Sequence, residues 1–195
     1  LTLKPKVEWF RAGNWPGQGL CDSSIPLYNP PMPILDAHSL EIISRSAEQT
    51  RRVGMRLGTL LQPGDLIGLV GDLGSGKTTL AQGIATGWGS LDPVSSPTFV
   101  LVNVYRRPDG LRLFHLDAYR LSGPAEAIDL DLDTMLEQGP MLVEWAERVQ
   151  AALPSDGLWV HLTYVSEIQR DMIYTARGAH YGALLAHFRK LVYGG

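Results

Sequence analysis

The chain has 195 residues and is 45% hydrophobic, enough for one domain with a sizeable core and a tail. Its formal net charge of −3 excludes the strong basic balance of a stand-alone DNA or RNA binder. The single cysteine, Cys21, excludes an internal disulfide, and no apolar run is long enough to span a membrane.

Residues 1–33 contain Pro5, Pro16, Pro26, Pro30, Pro31 and Pro33, with Gly13, Gly17 and Gly19 among them. These interrupt every periodic pattern, so an irregular or disordered extension is expected. The chain starts with Leu1, and Met32 sits just before regular structure begins, so a functional start near Met32 is expected. Against that start stand Trp9, Phe10 and Trp15, which are unusual in a purely solvated tail and are able to dock. The N-terminus lacks the charged-then-apolar plan of a secretory signal, which makes the cytoplasm the expected location. Residues 34–195 are expected to form one domain.

Residues 38–44 alternate and predict a strand. Ser46 and Gln49 fit a capping box that opens a helix with Val53, Leu57, Leu60 and Leu61 on one face. Thr50 and Arg51, in its first turns, have two readings: contact with a nucleotide base, or a solvated face, which is preferred. Residues 62–65, Gln-Pro-Gly-Asp, stop the helix. The run 66–70, Leu-Ile-Gly-Leu-Val, lacks polar alternation and predicts a strand buried on both faces.

Residues 71–78, Gly-Asp-Leu-Gly-Ser-Gly-Lys-Thr, read as G-x-x-x-x-G-K-T between that strand and a helix, the context of a phosphate-binding loop. Gly71, Gly74 and Gly76 let backbone N–H groups converge on phosphate oxygens, and the helix dipole adds positive potential. Lys77 is a mobile cation for the β and γ phosphates, and the Thr78 hydroxyl suits Mg²⁺. Residues 87–90 end the helix. The polar loop 95–99 has two readings: a contact to the γ-phosphate that moves when it leaves, or a plain connector.

A hairpin follows, with strands at 100–105 and 111–116 and a turn at 107–110. Arg106, Arg107, Arg112 and Arg120 cluster there, with two readings: a basic face, or a solvated hairpin tip, which is preferred for Arg106 and Arg107. Residues 123–137 predict one or two short helices with Glu126, Asp129, Asp131 and Asp133 outward. Residues 141–145 predict a second buried strand that ends in an acid, Glu144. Glu144 and Asp117 both sit at strand ends. Glu144 follows the more buried strand and is assigned to the metal; Asp117 then orients the attacking water or senses the γ-phosphate. The competing role for either acid is a helix cap or a structural ion pair. Residues 158–164 predict an antiparallel or edge strand, and 171–176 another. Residues 178–192 predict a helix with Tyr181, Leu184, Leu185, Phe188 and Leu191 inward. His38, His161, His180 and His187 show no metal-ligand spacing.

Four motifs occur together in order: 71–79 (Gly-Asp-Leu-Gly-Ser-Gly-Lys-Thr-Thr), 96–99 (Ser-Pro-Thr-Phe), 115–121 (His-Leu-Asp-Ala-Tyr-Arg-Leu) and 143–147 (Val-Glu-Trp-Ala-Glu). In these the chain resembles the bacterial TsaE (YjeE) family, the ATPase of tRNA threonylcarbamoyladenosine biosynthesis, over about residues 38–192. The resemblance implies an α/β P-loop NTPase three-layer fold, with a central, mostly parallel sheet extended by antiparallel strands. It implies binding of ATP or ADP with Mg²⁺, and hydrolysis that is weak without partners. The implied partners are the TsaB and TsaD proteins, with tRNA reached indirectly through their complex, and no DNA or membrane. Nucleotide contacts are implied for Asp72, Leu73, Gly74, Ser75, Gly76, Lys77, Thr78, Thr79, Thr98 and Trp145. Metal contacts are implied for Thr78 and Glu144, and catalytic roles for Lys77, Asp117 and Glu144.

Two other functions compete. A small-molecule kinase would use Arg120 and the hairpin arginines on a phosphoryl acceptor. A nucleotide-gated binding module would treat hydrolysis as incidental. A GTPase would need Asn-Lys-x-Asp to read its base, and no Asn is followed by Lys.

Overall fold

The structure is a computed structural model that describes residues 38–94 and 101–194. The expected extension at 1–33, with Met32, and the loop at 95–99, with Thr98, lie outside the described residues.

Strand β1 (Ser39–Ser44) leads into helix α1 (Ala47–Gly58). Ser46 caps α1 by accepting from Gln49 N at 3.0 Å. The Gln49 side chain reaches back to Arg45 N at 2.8 Å, one residue before the partner a capping box uses. Helix α1 ends at Gly58, so Leu60 and Leu61 pack from the following turn. Then come β2 (Leu66–Val70), helix α2 (Lys77–Trp88) and the hairpin β3 (Val102–Arg106) and β4 (Arg112–Asp117). Two short helices, α3 (Pro124–Ile128) and α4 (Leu132–Gln138), precede β5 (Met141–Glu144). Strands β6 (Gly157–Tyr164) and β7 (Arg170–Arg177) and helix α5 (Ala179–Tyr193) complete the domain.

The seven strands form one sheet in the order β1-β7-β6-β2-β5-β4-β3. Strands β6, β2, β5 and β4 run parallel; β3 on one side and β7 and β1 on the other are antiparallel. The expected parallel centre with antiparallel extensions is therefore what forms.

Alternation along each central strand serves two cores. Ile67, Leu69, Leu142, Leu158 and Val160 face α1, α2 and α5. Leu66, Met141, Val143 and Trp159 face α3, α4 and the turns after β5. Both faces of β2 are covered, which is why its sequence is apolar throughout.

Two expectations are corrected. Strand β6 is antiparallel to β7, as one of its two readings had it, but it is not an edge strand: its other side pairs parallel with β2. Its burial alternates only in its second half, towards the exposed Tyr164. Leu191 is 45% exposed and is not part of the α5 stripe. The stripe passes from Phe188 to Val192, because a 3.6-residue period favours the i+4 position there.

Helices α1 and α2 touch backbone to backbone. A Cβ at Gly87 would lie 1.9 Å from the Met55 carbonyl oxygen, and one at Gly83 2.2 Å from that of Arg51. From the other side, a Cβ at Gly54 would lie 2.6 Å from the Leu80 carbonyl oxygen, and one at Gly58 2.0 Å from that of Ile84. Pairing of 51 with 83 and 55 with 87 makes the helices parallel, so both N-termini reach the same end of the sheet.

Candidate functional site

At that end the loop from β2 to α2 turns sharply. Gly71, Gly74 and Gly76 hold φ of 139°, 78° and 103°, in the region that disfavours a side chain. Gly71 also lies against β6: a Cβ there would sit 2.2 Å from the Leu162 carbonyl oxygen.

Lys77, at the start of α2, is only 4% exposed. Its Nζ donates to the carbonyls of Gly71 at 2.6 Å and Asp72 at 2.9 Å, and lies 3.7 Å from the Trp145 ring centroid. Burial lowers its pKa; Glu144, Glu147, Asp117 and Asp72 pull the other way. Trp145 follows β5 with φ 58°, a rare left-handed conformation for a bulky residue. That turn aims its ring at the loop, where Tyr119 packs against it at 5.0 Å between centroids.

The two acids meet because of strand register. Asp117 ends β4 and Glu144 ends β5, and they are direct partners across the parallel pair. Both are buried, at 4% and 3% exposure. Glu144 Oε2 accepts from the Thr78 hydroxyl at 3.0 Å, and Glu144 Oε1 lies 3.0 Å from His115 Nε2. Asp117 Oδ1 accepts from Tyr119 N at 2.9 Å and so caps the 3-10 turn Ala118–Arg120. The capping role weighed for Asp117 is thus present alongside its place in the site.

A cavity of about 370 Å³ opens over these groups. Gly74, Gly76, Lys77, Thr78, Thr79, Asp117, Glu144 and Trp145 line it, as does the outward-pointing Leu73. Asp72 contributes its carbonyl to Lys77 rather than lining the cavity. Ser75 is buried beneath the loop, with its hydroxyl unpartnered among the described residues. Thr50, expected on a solvated face, is 1% exposed: its hydroxyl lies 2.8 Å from Ser44 Oγ, and it lines the cavity from α1. Arg51 stays on the solvated face, with its side chain 44% exposed and pairing with Glu48, and its Nε donates to Gln82 Oε1 at 3.3 Å. Arg106 pairs with Asp92, and Arg107 with Asp109, so neither offers a free basic face.

The donor set fits a polyphosphate and a hard cation. A glycine-rich turn with a buried lysine suits phosphate oxygens, and one hydroxyl with one carboxylate suits Mg²⁺. Among the described residues, no group of three or more His, Cys, Asp and Glu side chains makes a protein-only cage. Mg²⁺ needs none, since it takes one or two carboxylates together with phosphate and water.

His115 belongs to the 115–121 motif, but the sequence assigns it no role of its own. It is fully buried and two residues before Asp117 on β4, and alternate strand residues share a face. That spacing was the available signal. Glu167, Ile168 and Arg170 were also missed; they reach the cavity from the β6–β7 hairpin, about 90 positions from the loop in sequence, and had no local signature.

The model of the family described as threonylcarbamoyl adenosine biosynthesis protein TsaE matches residues 44–172. The chain is 38% identical over 139 residues to the tRNA threonylcarbamoyladenosine biosynthesis protein TsaE of Bacillus subtilis, covering 70% of this chain and 85% of that one. With the protein of the same name from Streptomyces coelicolor it shares 47% over 110 residues, covering 55% of this chain and 74% of that one. The crystal structure of Bacillus subtilis YdiB matches with a TM-score of 0.66 at 30% identity, covering 79% of this chain and 96% of that one.

Proposed function

The chain belongs to the TsaE family, and we propose that it is a Mg²⁺-dependent ATPase that serves tRNA threonylcarbamoyladenosine modification by driving the cycling of a TsaB–TsaD complex. The observation that carries this is the contact between Thr78 and Glu144 beside the buried Lys77. It brings a hydroxyl and a carboxylate together where a phosphate-bound metal would sit.

In this proposal the N–H groups of residues 72–79 bind the phosphates, and Lys77 exchanges the carbonyls of Gly71 and Asp72 for phosphate oxygens. Thr78 and Glu144 would hold the metal, which would supply positive charge against that building on the phosphates. Asp117 orients water for attack on the γ phosphorus, and the bond to the β–γ bridging oxygen breaks, giving ADP and phosphate. Trp145 packs beside the phosphates, and Thr98 supplies a loop that responds to the γ-phosphate. The ATPase domain spans residues 34–195, residues 1–33 are an appended extension, and the cytoplasm is the site of action. Among the described residues, no helix is long and apolar enough to cross a membrane.

The small-molecule kinase is disfavoured because none of Arg106, Arg107, Arg112 and Arg120 lines the cavity. The binding module is separated by experiment. Asp117→Ala and Glu144→Ala should each stop hydrolysis and stop tRNA modification in cells that depend on this chain. Modification that persists without hydrolysis would favour the module.

A further inference from the structure

Glu144 has a partner that the proposed chemistry does not use. Its Oε1 lies 3.0 Å from His115 Nε2, and both side chains are buried, at 3% and 0% exposure. On the other side of the ring, His115 Nδ1 lies 3.3 Å from the Tyr105 hydroxyl. That hydroxyl in turn accepts from Asn103 Nδ2 at 3.3 Å. Asn103 and Tyr105 lie on β3, His115 on β4 and Glu144 on β5, three consecutive strands of the sheet. From Glu144 the chain of contacts continues to Thr78 on α2. A line of polar groups thus crosses the sheet from its β3 edge and ends at the phosphate-binding loop.

The carboxylate sets the direction. An ionised Glu144 only accepts, so Nε2 of His115 must carry the proton it shares with Oε1. Nδ1, on the far side of the ring, faces the Tyr105 hydroxyl. With Oε1 tied to His115, rotation of the carboxylate is restricted and Oε2 stays on the Thr78 side.

We propose that His115 is a positioning residue for Glu144: through Nε2–H it fixes the carboxylate so that Oε2 and the Thr78 hydroxyl form a preset pair of oxygen ligands for Mg²⁺. This rests on Glu144 being the metal-side acid. Hydrogen-bond partners of ligating side chains typically control roughly 10–100-fold of metal affinity. A buried carboxylate that lost its donor would also turn towards other partners.

The test uses the full chain with ADP as probe. ADP affinity is measured by calorimetry in chelator, then as Mg²⁺ is titrated in. His115→Leu should raise the Mg²⁺ concentration that half-maximally tightens ADP binding by about 10–100-fold, with metal-free affinity unchanged. His115→Gln, whose amide N–H can replace Nε2–H, should recover most of that loss. Tyr105→Phe should fall between the two. Where His115→Leu does not fold, the Gln and Phe variants carry the test. An equal shift for Leu and Gln, no shift for Leu, or an equal loss of metal-free affinity would overturn the proposal. A wild-type chain whose ADP affinity ignores Mg²⁺ would overturn the metal role of Glu144 itself, and the proposal with it. A second readout needs no metal. Long-range ¹H–¹⁵N spectra of the free protein should show His115 Nε2 protonated, and an unprotonated Nε2 would overturn the proposal directly.

Discussion

The Thr78 hydroxyl donates to Glu144 Oε2 at 3.0 Å across 66 positions of sequence. Helix α2 carries the first residue and strand β5 the second, and β2, which is paired with β5, feeds directly into the loop before α2. The backbone register Leu69↔Glu144 therefore fixes how far the acid stands from the loop.

Removing the charge while keeping the shape isolates what that acid does. Glu144→Gln should leave metal-free nucleotide affinity near wild type and lower ATP turnover by at least about 100-fold, since a misplaced metal forfeits several kcal/mol of transition-state stabilisation. Calorimetry in chelator and a phosphate-release assay check the two halves. An equal loss of both would place Glu144 in phosphate binding.

Lys77 is buried and already engaged with the Gly71 and Asp72 carbonyls. A charge-assisted hydrogen bond is worth about 1.5–3 kcal/mol. Lys77→Ala should therefore weaken ATP by roughly 10–150-fold in equilibrium binding. Unchanged affinity would remove the loop from the site.

The lowered pKa of Lys77 gives a pH signature. Its folded-state value lies below its unfolded value, so the unfolded chain binds more protons between the two. Stability from this group is therefore least below the folded pKa and rises with pH through the window that ends at the ordinary value of 10.5. Urea unfolding at neutral pH and near pH 9.5 should show wild type gaining on Lys77→Met as pH rises. A gap that stays constant, or a wild type that loses ground, would contradict the burial of an ammonium here.

Lys77 Nζ rests on the Trp145 ring. Nucleotide that draws Lys77 to phosphate should change Trp145 emission, and Trp145→Phe should abolish that response. Persistence of the response in Trp145→Phe would show that the ring is not the reporter.

The contact of α1 with α2 depends on glycine. Gly87→Ala places a methyl 1.9 Å from the Met55 carbonyl oxygen and forces the helices apart. Overpacking of this kind costs about 1–3 kcal/mol, and each kcal/mol lowers the melting temperature of a domain this size by about 2–4 °C. Thermal melting followed by circular dichroism measures it; an unchanged midpoint would mean that the helices separate without penalty.

Much of this site could be read from local sequence, because its centre is contiguous. Residues 66–79 hold strand, loop and helix in one stretch, and Asp117 and Glu144 stand out as acids ending apolar runs. What stayed hidden depends on strand order. That Asp117 and Glu144 are register partners, and that His115 bridges towards Tyr105, follows only once β3, β4 and β5 are neighbours. The burial of Thr50 follows from Ser44 on β1, and the interior position of β6 from pairing with both β2 and β7. Periodicity within one element cannot report which neighbour it meets.

The most direct measurement is ATP turnover by the full chain, alone and with TsaB, TsaD and tRNA. Slow turnover alone that rises severalfold when the TsaB–TsaD complex is added, with phosphate released to water, is the predicted result. Turnover indifferent to the complex, or phosphate recovered on a small-molecule acceptor, would contradict the proposed function.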